Sequence, residues 1–377
     1  MKSRHTCVGI DKDKWLINKK PTYERRKYKG SKIEGLLFCS RMINAIFDDE
    51  NEITRNLWRY PDTGRWDPNR NTKEFVAAMP EYRVHGLLGF TVGLQGGSPV
   101  GYYRDPSLVR EKLESLGVKA SDEEIWSDVP SPKFQPWHNS AFDRDGRLKQ
   151  SYMDRLTWIL DRADELGMIV ILVLFYAGQD ERLRNESAVK RAVVETCKWI
   201  LNHGYTNVVI EINNECDVPG YEHEILQPHR VHELIELAKG IKQEGRRLYV
   251  GTSYARTLPD DTVVEASDII FLHGNAIDDP MGIVDLVNRV RALPSYRPMP
   301  IVFDEDDHYD FDKPMNNFLA AISCYAGWGF FDNAGGKGCQ SFGDYKHGYQ
   351  NIPVNWSISS ERKRKFFNLL REVTGSY

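Results

Sequence analysis

Short apolar runs alternate with longer amphipathic segments along most of the 377-residue chain. Eight of these runs have the length and β-branched content of buried parallel strands. They begin at residues 35, 86, 168, 207, 247, 268, 300 and 327. Apolar residues at helical spacing predict helices over 72–85, 148–166, 186–202, 228–243, 281–293, 313–325 and 360–374. This alternation predicts an α/β fold, a single (β/α)8 TIM barrel that covers residues 1–377.

Two segments interrupt the alternation. Residues 10–35 predict a small N-terminal β-hairpin in which Lys14–Ile17 forms a strand. Residues 98–147 form the largest insertion, a long βα loop with a short helix near 107–116. An insertion on the functional rim of a barrel usually shapes specificity, and a passive surface excursion is the equal alternative.

Two of the predicted strands end abruptly in carboxylates. The run at 207–212 leads into Asn213-Asn214-Glu215, and the run at 300–303 leads into Asp304-Glu305. In α/β barrels the carboxyl ends of the strands carry the active site. Two facing carboxyl groups are the minimum for hydrolysing a glycosidic bond, because one protonates the leaving group and the other attacks or activates water. The competing interpretation places Glu215 in an ordinary surface loop.

These motifs resemble clan A of the glycoside hydrolases, which are (β/α)8 barrels that cleave with retention. In that clan an Asn-Glu pair closes strand 4 and supplies the acid/base, and a second Glu closes strand 7 as the nucleophile. The resemblance implies that Glu215 is the acid/base, Glu305 the nucleophile and Asn214 the partner of the sugar 2-hydroxyl. Counted from residue 35, the two strands are the fourth and the seventh. In barrel glycosidases an N-terminal hairpin often closes the bottom of the barrel, as expected for residues 10–35.

Other strand ends supply candidate partners for the two glutamates. Arg41 resembles the clan's arginine near the nucleophile and would hold Glu305 ionised, since a nearby cation lowers the pKa of a carboxylate. An ordinary surface salt bridge is the alternative for Arg41. His273 ends strand 6 at the same rim. The clan often has a tyrosine here that touches the nucleophile, and this chain offers Asn275 instead.

Substrate contacts are expected from side chains farther along the rim. Trp328 on strand 8 resembles the platform under the sugar at the point of cleavage, and Trp356 in the following loop is its rival. One of the two is expected to lie in the core. Polar residues that follow strand ends or end the insertion are candidates for binding hydroxyl groups, namely Gln95, His138, Asn139 and Gln179.

The charge and composition fit a neutral carbohydrate partner. With a net charge of −4, the chain has no excess of basic residues that would bind nucleic acid or an anionic membrane. Aromatic residues make up 11% of the chain, and their flat faces can stack on sugar rings. Acidic residues near the predicted rim disfavour an anionic substrate. The implied reaction needs no cofactor, and the sequence predicts no oligomeric state.

Targeting signals and cysteine motifs are absent from the pattern. No apolar run reaches the eighteen residues of a membrane span, and the N-terminal residues lack the apolar core of a secretion signal. The six cysteines have no CxxC spacing, which argues for reduced thiols and against a zinc site. The chain as written is predicted to be cytoplasmic, or secreted or periplasmic if a signal was removed.

Two other functional classes stay open. The acidic cluster 304–308 ends in a histidine and could bind a metal, as in sugar isomerases built on the same barrel. Alternation along a strand points Asp304 and Asp306 away from Glu305, so these side chains could not face one ion without a bulge. A non-catalytic carbohydrate-binding barrel is the third class, and the presence of both glutamates argues against it.

Overall fold

The computed structural model describes residues 4–97, 106–127, 135–255, 257–333 and 348–376. The strands are β1 (Val8–Asp11), β2 (Lys14–Ile17), β3 (Lys20–Pro21), β4 (Lys27–Tyr28), β5 (Ser31–Lys32), β6 (Phe38–Arg41), β7 (Gly89–Gly93), β8 (Ile169–Phe175), β9 (Val208–Asn213), β10 (Val250–Gly251), β11 (Ser253–Tyr254), β12 (Ile270–His273), β13 (Ile301–Asp306) and β14 (Gly327–Phe330). The α-helices are α1 (Pro68–Val84), α2 (Pro106–Ser115), α3 (Asp122–Ile125), α4 (Gln150–Leu166), α5 (Glu186–Asn202), α6 (Val231–Gly240), α7 (Asp261–Ala266), α8 (Pro280–Arg291), α9 (Asn317–Ser323) and α10 (Glu361–Thr374).

The central sheet is a ring of parallel strands. Its order is β10-β9-β8-β7-β6-β14-β13-β12-β11, and every neighbouring pair is parallel. The two ends of this order, β10 and β11, are separated in the chain by Thr252 alone. The fifth strand therefore pairs with the fourth through its first half and with the sixth through its second half. This confirms the predicted (β/α)8 barrel.

Helix boundaries follow local chemistry. The predicted helix 186–202 is confirmed as α5, which begins where the Asn185 side chain accepts from the Ala188 N–H. Helix α4 ends at Gly167, whose φ of 71° lies in the left-handed region that glycine adopts without strain. Helix α9 is shorter than the predicted 313–325, because Asn316 caps it and starts it at residue 317.

The N-terminal segment closes the bottom of the barrel. Strand β2 pairs with β1 and β3 in a three-stranded antiparallel sheet, so the predicted hairpin has an additional first strand. Trp15 is 1% exposed and packs with Leu37, Val209 and Val302 inside the barrel. The expected bottom closure is thus confirmed, and the opposite, carboxyl end of the strands stays available for a site.

Among the residues that the structure describes, no helix is both long enough and apolar enough to cross a membrane.

Candidate active site

A bulge in β13 decides which acidic side chains enter the barrel. Leu272 pairs with Phe303 and the next residue, His273, pairs with Glu305, so Asp304 is skipped in the register. Asp304 and Glu305 consequently both point inward. The prediction that alternation turns Asp304 away from Glu305 was wrong, because a bulge interrupts the two-residue period. Asp306 does point outward, where it accepts from the Trp328 indole N–H at 2.9 Å.

Glu305 is held by a cation and an amide. Its Oε2 lies 2.7 Å from Nε of Arg41, and its Oε1 accepts a 2.7 Å hydrogen bond from Nδ2 of Asn275. Arg41 is 1% exposed, so it is a buried partner of Glu305 and not a surface salt bridge. Burial lowers the pKa of Arg41, but the negative charges of Glu305, Glu211 and Asp304, together with Tyr176, raise it overall. Asn275 thus contacts the carboxylate where the resemblance implied a tyrosine.

Glu215 follows β9 in an unusual backbone conformation. Its φ of 54° is left-handed, which costs a non-glycine residue about 1 kcal/mol or more. The Glu215 N–H donates to Oγ of Ser253 at 2.8 Å, which helps to hold this conformation. Beside it, Asn214 is 3% exposed, and its Oδ1 has no hydrogen-bond partner among the described residues. A buried acceptor of this kind can take a hydroxyl hydrogen from a ligand.

His273 lies between the two glutamates. Its Nδ1 is 3.0 Å from Oε1 of Glu215 and 3.6 Å from Oε2 of Glu305. Burial lowers the pKa of His273, but the charge of Glu305 and the hydrogen bond to Glu215 outweigh it and raise the pKa to about 10. At this pKa the ring carries a positive charge at neutral pH, so Nδ1 donates to Glu215 and the ring forms an ion pair with Glu305.

The separation of Glu215 and Glu305 is short. One carboxyl oxygen of each, together with a ring nitrogen of His273, lies within 4.8 Å of the others. Both residues are less than 10% exposed, so the pair faces a space with little bulk water. Two carboxyl groups at this spacing can act on the same atom of a ligand.

Gln95 and His138 connect loops at the rim. Nε2 of Gln95 donates to Oγ of Ser140 at 3.0 Å and to the Gln179 carbonyl at 3.2 Å. The His138 backbone N–H donates to Asp49, and its ring lies 3.6 Å from Glu50. These contacts attach the end of the insertion to the loops after strands 1 and 3. The role of Gln95 and His138 in binding hydroxyl groups stays a prediction.

Neither predicted tryptophan lies beside the glutamates, which corrects both assignments. Trp328 is 0% exposed and packs against Phe318 and Phe366, with centroid distances of 5.2 and 5.8 Å. Trp356 is 2% exposed and donates to Asn71 at 3.1 Å. Trp328 faces the helices because the alternating inward positions of β14 are glycines. At Gly329 a Cβ would lie 2.7 Å from Sγ of Cys39, so no larger residue fits there.

Replacing Trp328 with alanine is expected to lower the free energy of unfolding by about 3–5 kcal/mol, because it empties a buried aromatic cluster. Urea unfolding monitored by circular dichroism measures this. Trp199→Ala, at a half-buried position on α5, is the control and should lower the free energy of unfolding by less. A loss below about 1 kcal/mol for Trp328→Ala would contradict its placement in the core.

The sequence analysis missed three residues of this site. Phe331 follows β14 on the inward side, and its ring centroid is 5.7 Å from Cζ of Arg41. Glu211 and Ser253 lie inside the barrel below Glu215, joined by a 2.5 Å hydrogen bond from Ser253 Oγ to Glu211 Oε1. In the sequence, Glu211 is recognisable as a single carboxylate within the apolar run of β9.

The acidic cluster 304–308 does not converge on one point. Asp304 and Glu305 face the interior, whereas Asp306 accepts from Trp328 and from Asn317 on the outer side. Asp306, Asp307 and His308 do form one group whose ligand atoms lie within 4.8 Å of one another. The other two groups at metal-ligand spacing in the described part of the chain share His273.

Solved structures share this fold. A proposed glycoside hydrolase from Bacteroides vulgatus aligns with a TM-score of 0.54 and 12% identity over 99% of this chain, which spans only 62% of that protein. A family 5 glycoside hydrolase from Prevotella bryantii aligns with a TM-score of 0.51 and 9% identity, covering 90% of this chain and 96% of the other. The β-glucosidase of Thermotoga maritima gives 0.52 and 10%, covering 91% and 99%.

Sequence comparison adds nothing to these structural matches. No protein-family model matches the chain, and no curated protein matches it. At such low identity the structural likeness establishes the fold class, a (β/α)8 barrel shared with glycoside hydrolases. The activity has to be argued from the site.

Proposed function

We propose that this protein is a retaining glycoside hydrolase that cleaves a β-linked glycoside or oligosaccharide. The observation that carries the proposal is the pair Glu215 and Glu305, whose carboxyl oxygens approach within 4.8 Å at the carboxyl end of the barrel. Retaining enzymes separate their two carboxyl groups by about 5–5.5 Å, whereas inverting enzymes need about 6.5–9.5 Å to admit a water. The short separation favours attack by the protein itself.

The contacts support a different role for each glutamate. The ion pair with Arg41 and the hydrogen bond from Asn275 favour the ionised form of Glu305 as a nucleophile. Glu305 attacks the anomeric carbon while the glycosidic bond breaks, and Glu215 gives its proton to the departing oxygen. Glu215, now ionised, takes a proton from water, whose oxygen attacks the same carbon and releases Glu305.

Substrate binding follows from the neighbouring groups. The unpartnered Oδ1 of Asn214 is the acceptor for the sugar 2-hydroxyl, and the Phe331 ring, 5.7 Å from Cζ of Arg41, offers an apolar surface beside the site. Several proteins of this fold have names that specify β-linked substrates, among them the Thermotoga maritima β-glucosidase and the β-glycosidase BGL167. These names support a neutral β-glycoside as the substrate class.

Hydrolysis of a panel of aryl β-glycosides tests the proposal. We expect activity that is insensitive to EDTA, and a first product that proton NMR shows to have the β configuration. An α product would contradict retention. Activity that appears only with added divalent metal would instead support the isomerase-type barrel. Binding of oligosaccharides without hydrolysis would support the non-catalytic barrel.

Asn275→Ala is expected to reduce kcat/KM about 10- to 100-fold, because it removes one hydrogen-bond donor from the nucleophile. Steady-state kinetics on the best aryl glycoside of the panel measures the effect. Asn288→Ala, at an exposed position on α8, should leave kcat/KM unchanged. Equal kinetics for the two variants would show that the Asn275 contact has no part in the reaction.

A further inference from the structure

Below the two rim glutamates lies a second pair of carboxyl groups, Glu211 on β9 and Asp304 on the β13 bulge. Both are 0% exposed, and both lie with His273 in a group whose ligand atoms are within 4.8 Å of one another. Nε2 of His273 is 3.7 Å from Oδ1 of Asp304. This second pair has no role in the reaction described above, yet burying two carboxyl groups without water is costly.

These groups connect to Glu215 by two routes. On one side, the Glu215 N–H donates to Ser253 Oγ, and Ser253 Oγ donates to Glu211 Oε1. On the other side, Oε1 of Glu215 faces Nδ1 of His273, and Nε2 of that ring faces Asp304. Only the space between Glu211 and Asp304 separates the two routes, so a contact there closes them into a ring.

The buried polar atoms require such a contact. Oε2 of Glu211, both carboxyl oxygens of Asp304 and Nε2 of His273 have no hydrogen-bond partner outside this group. Buried polar atoms are almost always paired, and two facing carboxyl groups can pair only if one of them carries a proton. A protonated Glu211 would donate to Asp304, and the negative charge of Asp304 would pair with the imidazolium of His273, whose Nε2 is 3.7 Å away.

We propose that Glu211, Ser253 and Asp304 are positioning residues, a hydrogen-bonded ring that fixes Glu215 through its backbone N–H and, by way of His273, through its carboxyl group. The inference rests on the proposed function for the role of Glu215. The ring accounts for two features at once. It holds the left-handed backbone of Glu215, and it anchors the imidazolium between the two rim carboxyl groups.

The charges inside the barrel are consistent with this ring. Burial, followed by the negative charge of Asp304, raises the pKa of Glu211 well above its usual range. The pKa of Asp304 is also raised by burial, but the charges of His273 and Arg41 oppose the rise. The cations Arg41 and His273 thus lie among the carboxyl groups of Glu211, Glu215, Asp304 and Glu305.

NMR of the His273 side chain tests the proposed ring of residues without any substrate. In protein labelled with ¹⁵N-histidine, the His273 signals are assigned by their loss in His273→Gln. We expect both ring nitrogens to be protonated from pH 5 to pH 8, because the ring is surrounded by the carboxyl groups of Glu211, Glu215, Asp304 and Glu305, which outnumber the one neighbouring cation, Arg41.

Substitutions separate positioning from packing. Asp304→Asn removes the anion below the ring, and we expect the titration midpoint of His273 to fall by about one pH unit or more. Glu211→Gln keeps a neutral side chain that accepts from Ser253 and donates to Asp304, so kcat/KM should stay within about threefold of the wild type. Glu211→Leu breaks the ring, and kcat should fall about tenfold or more with little change in KM. Glu236→Leu, at an exposed position on α6, is the matched control.

Three outcomes would overturn the proposal. They are a neutral His273 ring at pH 7 in the wild type, an unchanged His273 titration in Asp304→Asn, and equal losses of kcat in Glu211→Gln and Glu211→Leu. The wild-type spectrum tests the proposal even if a variant does not fold. An inactive wild type with the expected His273 spectra would refute the proposed function and leave the hydrogen-bonded ring standing.

Discussion

Glu305→Ala is expected to reduce kcat/KM on aryl β-glycosides by about 10⁴-fold or more, because no other group can form the covalent intermediate. The substitution also opens a space next to Arg41, which forms an ion pair with the Glu305 carboxylate in the wild type, and next to Asn275, which donates to it. Azide should enter this space and attack the anomeric carbon from the vacated side. The product would be the α-glycosyl azide, detectable by proton NMR.

The control for this experiment is Glu236→Ala, which changes an exposed glutamate on α6 and should have wild-type kinetics. Circular dichroism should show that Glu305→Ala is folded. If the variant retained more than about a tenth of the wild-type kcat/KM, Glu305 could not be the nucleophile. A β-glycosyl azide from this variant would mean that the roles of the two glutamates are exchanged.

Glu215→Ala is expected to show an effect that depends on the leaving group. For alkyl or sugar leaving groups, which need a proton, kcat/KM should fall about 10²- to 10⁴-fold. For a dinitrophenyl leaving group, which departs without a proton, formation of the intermediate should be nearly unaffected. Its hydrolysis should still be slow, because no base activates the water, so a burst of dinitrophenol should precede slow turnover.

Azide distinguishes Glu215 from Glu305. In Glu215→Ala it should release the sugar from Glu305 and give the β-glycosyl azide, the opposite configuration from Glu305→Ala. Glu215→Gln is the isosteric comparison and should show the same dependence on the leaving group. Equal losses for activated and unactivated leaving groups would contradict an acid/base role for Glu215.

The alternation of strands and helices was readable from the sequence because it depends on local periodicity. Helix α5 has the predicted bounds, and the two glutamates lie at the ends of the fourth and seventh barrel strands, as expected. Proximity of Glu215 and Glu305 also follows, since parallel strands of one barrel end at one rim. Periodicity does not report which face of a buried strand points inward, because both faces of a parallel sheet are apolar.

That ambiguity explains the errors at Trp328 and Asp304. Trp328 lies on the predicted strand, but its side chain is on the outer face of the barrel. The glycines on either side of it indicate this orientation only once the barrel radius is known. Asp304 shares the inward face with Val302, and Glu305 points inward as well because the register of β13 shifts against β12. A bulge is a property of two paired strands, so one strand's sequence does not predict it.

The sequence by itself determined the barrel, the order of its strands and the two glutamates at their ends, because these depend on apolar periodicity and on where each run stops. Only the tertiary structure decided the charge state of the site. The pKa of His273 depends on Glu211, Glu215, Asp304 and Glu305, which come from two other strands and meet only in the folded barrel. Electrostatic energies add over all charged groups that are close in space, and burial strengthens each interaction. The residues that are adjacent in the sequence therefore do not determine the pKa of His273.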